Sequence, residues 1–79
     1  MEKTLTLILA EVLGLDPDAI SSSIAMHNTS EWDSLRHINL ISAIEQEFNT
    51  TFSVADIEAM TSLSEIMRRL DTNVPSWRT

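Results

Sequence analysis

The fold is decided by residues 31–48, which read Glu-Trp-Asp-Ser-Leu-Arg-His-Ile-Asn-Leu-Ile-Ser-Ala-Ile-Glu-Gln-Glu-Phe. Asp33 is a favourable N-cap residue, because its carboxylate can accept a hydrogen bond from a first-turn amide that has no partner within the helix. Ser34 would then take the first helical position, where backbone amides and the helix dipole favour a negatively charged group. A phosphate esterified to Ser34 would be compatible with that position.

The helix predicted from this stretch runs from about Ser34 to Asn49, and its apolar residues fall into two groups. At about 100° per residue, one stripe forms a core face. This core stripe consists of His37, Leu40, Ile41, Ile44 and Phe48. Leu35 and Ile38 lie outside the stripe, either packed against the preceding loop or exposed as a docking patch beside Ser34. We favour docking, because the core face does not need these two side chains.

A first helix precedes this one, and a long connection joins the two. The spacing i, i+3, i+4, i+7, i+8 predicts one buried helical face. That face consists of Leu5, Ile8, Leu9, Val12 and Leu13. Gly14 is the expected C-terminal cap. In the connection, residues 15–32, Asp16 is expected to cap one short helical turn, and Ile20 and Ile24 are expected to anchor the loop to the core.

Two more helices are predicted after the second one. Ser53 is the expected cap of a short helix that carries Val54, Ile57 and Met60. Ser62 opens a capping box, from which the last helix runs to about residue 70. The apolar face of that helix consists of Leu63, Ile66, Met67 and Leu70.

These elements predict an all-α fold, a small antiparallel four-helix bundle with three main helices and one short helix. We expect a single domain over residues 1–79, with a helical core over about residues 3–71. Residues 72–79 have no pattern and are expected to form a flexible tail, in which Trp77 is unexplained.

The composition is acidic, with a formal net charge of −7 over 79 residues. Between Asp16 and Glu65 there are nine acidic residues and one basic residue, Arg36, which gives −8 for this stretch. This charge argues against binding to nucleic acid or anionic membranes and favours partners with basic surfaces. An acidic surface that only keeps the protein soluble is the alternative.

Several other classes of protein are not favoured. The chain has no Cys and two His, so neither a disulfide framework nor a metal site is expected. No signal peptide or membrane-spanning run is visible, and we expect a cytoplasmic monomer.

Ser34 and His37 could be a nucleophile and its base, but such catalysis also needs an orienting group and oxyanion donors in a dry pocket. A bundle this small offers little room for one, so we expect a protein that is not an enzyme.

Asp33-Ser34-Leu35, at the start of a helix after a long loop, resembles the attachment motif of acyl carrier proteins. The resemblance extends from the Leu-rich first helix through Gly14-Leu15-Asp16-Pro17 to the last helix. It implies that Ser34 carries 4′-phosphopantetheine, whose terminal thiol holds acyl groups as thioesters. Asp33 and Leu35 complete the motif, and Asp33 would also contact the phosphopantetheinyl transferase that loads Ser34 from coenzyme A with magnesium.

The resemblance also implies partners beyond the transferase. These are acyl-loading, condensing or transferring enzymes whose basic surfaces meet the acidic second helix. The residues expected to dock them are Leu35, Arg36, Ile38, Glu45 and Asp56.

The sequence departs from primary fatty-acid carriers next to the motif. Arg36 and His37 stand where acids usually crowd the helix start, and Trp32 replaces a small residue. These departures favour a dedicated partner set in a specialised acyl, aminoacyl or polyketide-like pathway, with fatty-acid synthesis left open. Trp32 is either a loop anchor or a contact of the prosthetic arm. The expected function is that of a discrete acyl carrier protein, and the alternative is a carrier-like helical module that binds partners without being modified.

Overall fold

The computed structural model describes residues 2–78, with the side chains of residues 3–77. This part of the chain forms four α-helices and three 3-10 turns. The α-helices are α1 (Glu2–Leu13), α2 (Ser34–Phe48), α3 (Val54–Ala59) and α4 (Leu63–Asn73). The 3-10 turns are Pro17–Ala19, Met26–Asn28 and Pro75–Arg78. Within this range there is no β-strand, only an isolated bridge between Ala25 and Ser62. The predicted all-α bundle of three main helices and one short helix is confirmed.

Left-handed residues end α1 and α2. Gly14 has φ +69°, and the amide of Leu15 beyond it donates to the Ala10 carbonyl at 2.9 Å. This bond satisfies one of the last carbonyls of α1, as in a Schellman motif. Asn49 ends α2 in the same conformation, with φ +52°. Gly14 is therefore the C-terminal cap that the sequence predicts.

The core lies between the apolar faces of the three longer helices. Its fully buried members include Leu5, Leu9, Leu13, Leu40, Ile44, Met60, Ile66 and Leu70. The predicted core stripe of α2 is buried at His37, Leu40, Ile41 and Ile44 and half-buried at Phe48. Each buried Leu or Ile contributes roughly 1.5–3 kcal/mol of hydrophobic free energy. The short helix α3 differs in one respect from expectation, because Val54 is 73% exposed.

The long connection is tied to the segment before α4. The Met26 amide donates to the Thr61 carbonyl at 2.8 Å, and the Leu63 amide donates to the Ile24 carbonyl at 3.0 Å. Ile24 is buried and Ile20 is half-buried against the core, so both act as the predicted anchors. The backbone hydrogen bonds were not predictable from the loop, since their partners are far along the chain.

The structure corrects the expectation of a flexible tail over residues 72–78, and Thr79 lies outside the described residues. Pro75–Arg78 forms a turn that folds back on the bundle, and Trp77 is 4% exposed. The Trp77 indole Nε1 donates to Asp71 Oδ1 at 2.7 Å, and its ring meets Phe48 edge-to-face at 5.9 Å between centroids. A single aromatic residue after a proline has no periodicity, and therefore no local pattern marks it as part of the core.

We predict that Trp77→Ala lowers the free energy of unfolding by about 3–5 kcal/mol, the usual cost of truncating a buried Trp. Urea denaturation of the full chain measures it. Val54→Ala is the matched control, because this side chain is mostly exposed and its loss should change stability by less than about 0.5 kcal/mol. Parent-like stability of Trp77→Ala would contradict a docked C-terminal turn.

Candidate functional site

Ser34 occupies the first position of α2 and is exposed. Asp33 caps the helix from an extended backbone conformation, and its Oδ1 accepts a hydrogen bond from the Arg36 amide at 2.8 Å. The Asp33 carbonyl accepts the next bond, from the His37 amide, also at 2.8 Å. The cap fixes the helix start, so the Ser34 hydroxyl lies at the positive end of the helix dipole, open to solvent.

The Arg36 side chain joins the start of α2 to the end of α1. Its Nη1 donates to the Glu31 carbonyl at 3.0 Å and lies 3.4 Å from the Leu13 carbonyl, the second acceptor. A cation is favourable at the C-terminal end of a helix, where carbonyl groups lack partners. The guanidinium thus acts as a clamp within the protein, a role that the sequence does not predict. Docking by Arg36 stays a prediction.

Trp32 and His37 form a hydrogen-bonded connection between the loop and two helices. Trp32, 2% exposed, donates from Nε1 to His37 Nδ1 at 3.1 Å. His37 Nε2 lies 2.8 Å from the Ile57 carbonyl of α3. An indole nitrogen only donates, so Nδ1 must accept, and the imidazole proton must lie on Nε2 and be donated to Ile57. We call this chain of three residues the Trp–His bridge.

The Trp–His bridge bears on two hypotheses from the sequence, the Ser34–His37 catalytic pair that we did not expect and the two alternative roles of Trp32. Both ring nitrogens of His37 are engaged, one by an indole and one by a backbone carbonyl. His37 is therefore not arranged as a base for Ser34. Trp32 is a loop anchor, since its side chain is almost fully buried.

Two apolar side chains next to Ser34 are exposed. Leu35 is 69% exposed and Ile38 is 61% exposed. They are three residues apart and share one side of α2. Exposure outside the core stripe agrees with the sequence pattern, and packing against the loop is not their main role. Their use in docking remains a prediction.

The family model described as "Phosphopantetheine attachment site" matches residues 3–70. The chain belongs to this family. Membership shows a phosphopantetheine carrier, with covalently attached 4′-phosphopantetheine and with a phosphopantetheinyl transferase and acyl-handling enzymes as partners. The predicted family and cofactor are confirmed. Carrier domains of this family are in general not catalysts.

The start of α2 fits the group that the family carries. A phosphodiester needs a hydroxyl within reach of another enzyme, and Ser34 is exposed. An anion at a helix N-terminus is stabilised by the dipole and the first amides. When bound, the prosthetic group supplies a thiol that forms thioesters. Asp33 and the Trp–His bridge hold the helix start on which it would be carried.

Two acids predicted to dock partners also have partners within this carrier. Glu45 Oε2 accepts from the Phe52 amide at 2.8 Å, which ties the loop after α2 back onto the helix. Asp56 Oδ1 lies 2.7 Å from Arg69 Nη1 and joins α3 to α4. Each carboxylate therefore has a structural function, whatever it contributes to docking.

In the described residues, no cluster of three or more His, Cys, Asp or Glu could hold a metal ion. No helix there has the length and apolarity to cross a membrane.

The environment of Asp56 lowers its pKa below the ordinary value of 3.8. Desolvation opposes ionisation, but hydrogen bonds with Ser53 and the charge and hydrogen bond of Arg69 outweigh it. A carboxylate with a lowered pKa stabilises the fold fully above the unfolded-state pKa, and this stabilisation is lost as the pH falls through the folded-state pKa.

We therefore predict that Asp56→Asn is less stable than the parent near neutral pH and that the difference narrows as the pH falls below 3.8. Urea denaturation across a pH series measures both proteins. Arg69→Gln removes one cause of the lowered pKa, so its difference from the parent should narrow over the same range. A stability difference that does not change with pH would contradict this interpretation of the Asp56 contacts.

Proposed function

We propose that Ser34 is the residue that carries 4′-phosphopantetheine, and that the protein is an acyl carrier for partner enzymes. The observation that supports Ser34 most strongly is its exposed position at the first residue of a helix capped by Asp33. Other serines at helix starts are used differently. The hydroxyls of Ser53 and Ser62 accept amide hydrogen bonds as caps of α3 and α4.

Loading makes this protein a substrate of the transferase. The Ser34 hydroxyl oxygen forms a bond to the phosphorus of the phosphopantetheine half of coenzyme A. The pyrophosphate P–O bond breaks, adenosine 3′,5′-bisphosphate leaves, and the serine proton passes to a base of the transferase. His37 has its two nitrogens engaged in the Trp–His bridge, which supports a base outside this chain.

Partner enzymes would dock on the start of α2. Leu35 and Ile38 supply exposed apolar area beside Ser34, and an acidic stretch surrounds them in sequence. The complementary partner surface is an apolar recess with basic residues at its rim, because buried apolar anchors supply affinity and opposite charges speed encounter. We propose partners of this kind in a fatty-acid, polyketide-like or other specialised acyl pathway.

The departures around the motif have an explanation within the fold. Arg36 clamps two carbonyl groups, and Trp32 and His37 form a buried hydrogen bond. All three residues therefore have reasons to be present that do not depend on a partner. The pathway is better sought from the cargo than from these residues.

We predict that incubation with coenzyme A, magnesium and a broad-specificity phosphopantetheinyl transferase adds one phosphopantetheine to the parent and none to Ser34→Ala. Intact mass measures the gain. Ser42→Ala, altered at an exposed serine of the same helix, is the matched control and should be loaded like the parent. No gain by folded parent protein would overturn the attachment site and leave the unmodified helical module as the better description.

We further predict that replacing Leu35 and Ile38 by Gln lowers kcat/KM of the transferase for this protein by at least about tenfold. Truncating an interface anchor typically costs more than about 1 kcal/mol, and about 1.4 kcal/mol corresponds to tenfold. Thermal stability should be unchanged, since both side chains are exposed.

Leu7→Gln is the control for that experiment, because Leu7 is an exposed apolar residue on α1. It should be loaded at the parental rate. Equal loss in Leu7→Gln, or no loss in the α2 variants, would place the transferase contact elsewhere.

A further inference from the structure

The structure bears on where an acyl group bound through Ser34 would lie. Ser34 is exposed, and His37 lies one helical turn further along α2, at the seam with α3. The Trp–His bridge closes this seam: Trp32 fills it from the loop, and the Ile57 carbonyl bonds the imidazole from α3. A chain that entered between α2 and α3 beside His37 would have to displace this hydrogen-bonded group.

The interior behind the bridge is filled. Side chains from α2, α4 and the residue after α3 have no exposed surface: they are Leu40, Ile44, Met60, Ile66 and Leu70. The described residues enclose no cavity. Close-packed interiors accept added atoms only by displacing side chains, which costs free energy.

Opening the seam between α2 and α3 would also break buried hydrogen bonds. It would separate the Trp32 indole from His37 and His37 from the Ile57 carbonyl. The buried donors and acceptors would then lose their hydrogen-bond partners, and an alkyl chain has no polar atom that could replace them. A small domain has little stability to offset this loss.

A long alkyl chain kept outside would leave its methylene groups in water, which is unfavourable. Short acyl groups, or acyl groups with polar substituents such as an amine or hydroxyl, can stay outside without exposing a long apolar chain to water. They therefore do not need the packed interior to open. We propose that this protein carries short acyl groups or acyl groups with polar substituents. These groups remain outside the bundle, and the Trp–His bridge keeps them away from the core. This proposal rests on the attachment of phosphopantetheine to Ser34.

The test loads the full-length protein from acetyl-, butyryl-, octanoyl- and dodecanoyl-coenzyme A with a broad-specificity transferase. Intact mass first establishes that each acyl-phosphopantetheine is attached. The melting temperature and the amide and Trp32 indole NMR shifts of each loaded form are then compared with those of the form loaded from coenzyme A alone.

The expected result is the same melting temperature for every chain length, with shift changes confined to the surroundings of Ser34. A melting temperature that rises with chain length, together with shift changes at Leu40, Ile44 and Ile66, would overturn external cargo while leaving the carrier function intact. Failure to gain mass would instead overturn the attachment site, and this inference with it.

Trp32→Leu provides a matched comparison, since it removes the indole and its hydrogen bond and leaves space beside His37. In this variant, octanoyl loading should raise the melting temperature and shift the core amides. If the variant does not fold, the parent series alone decides between internal and external cargo. A folded Trp32→Leu protein that responds to chain length no more than the parent would contradict the role given to the bridge.

Discussion

Two hydrogen bonds made by the His37 imidazole link three parts of this protein. The Trp32 indole donates to His37 Nδ1, and His37 Nε2 bonds the Ile57 carbonyl, so the long loop, α2 and α3 share one buried polar connection. Each buried donor in this connection has an acceptor, so the connection stabilises the fold. An unpaired imidazole or indole in the same place would destabilise it. Arg36 adds a second connection, from α2 to the carbonyl end of α1. Ser34 lies between these residues in the sequence, on a helix start that is fixed on both sides.

This arrangement suits the role that we propose for Ser34, which other enzymes would have to reach. The side chains that hold the helix start are buried or hydrogen-bonded within the protein; they are Trp32, His37 and Arg36. Ser34 and its neighbours Leu35 and Ile38 are exposed. Rigid support and an accessible side chain together lower the entropy that a partner must remove on binding. The acidic composition has one structural role in the fold, and we propose a second role in docking. Glu45 and Asp56 hold elements together through hydrogen bonds, and the acidic character of the surface suits basic partners.

Local signals were sufficient for most of the fold and for the position of Ser34. Helical periodicity, the Asp33 cap and Gly14 each act within one or two turns, so they can be recognised in the sequence itself. The support of the site depends on partners far along the chain. His37 reaches Ile57 and Arg36 reaches Leu13, contacts that span 20 and 23 residues. The pattern placed His37 on the core stripe correctly but gave no indication of its partners. Trp77 is the same kind of case, because it joins the core without any repeat around it.

The claim that the Trp–His bridge organises the site is tested most directly by the tautomer of His37. Long-range proton–nitrogen NMR correlations of the imidazole distinguish the two ring nitrogens. The structure predicts a proton on Nε2 and an unprotonated, hydrogen-bond-accepting Nδ1. A proton on Nδ1, or two tautomers in rapid exchange, would contradict the bridge and the closed interior that depends on it.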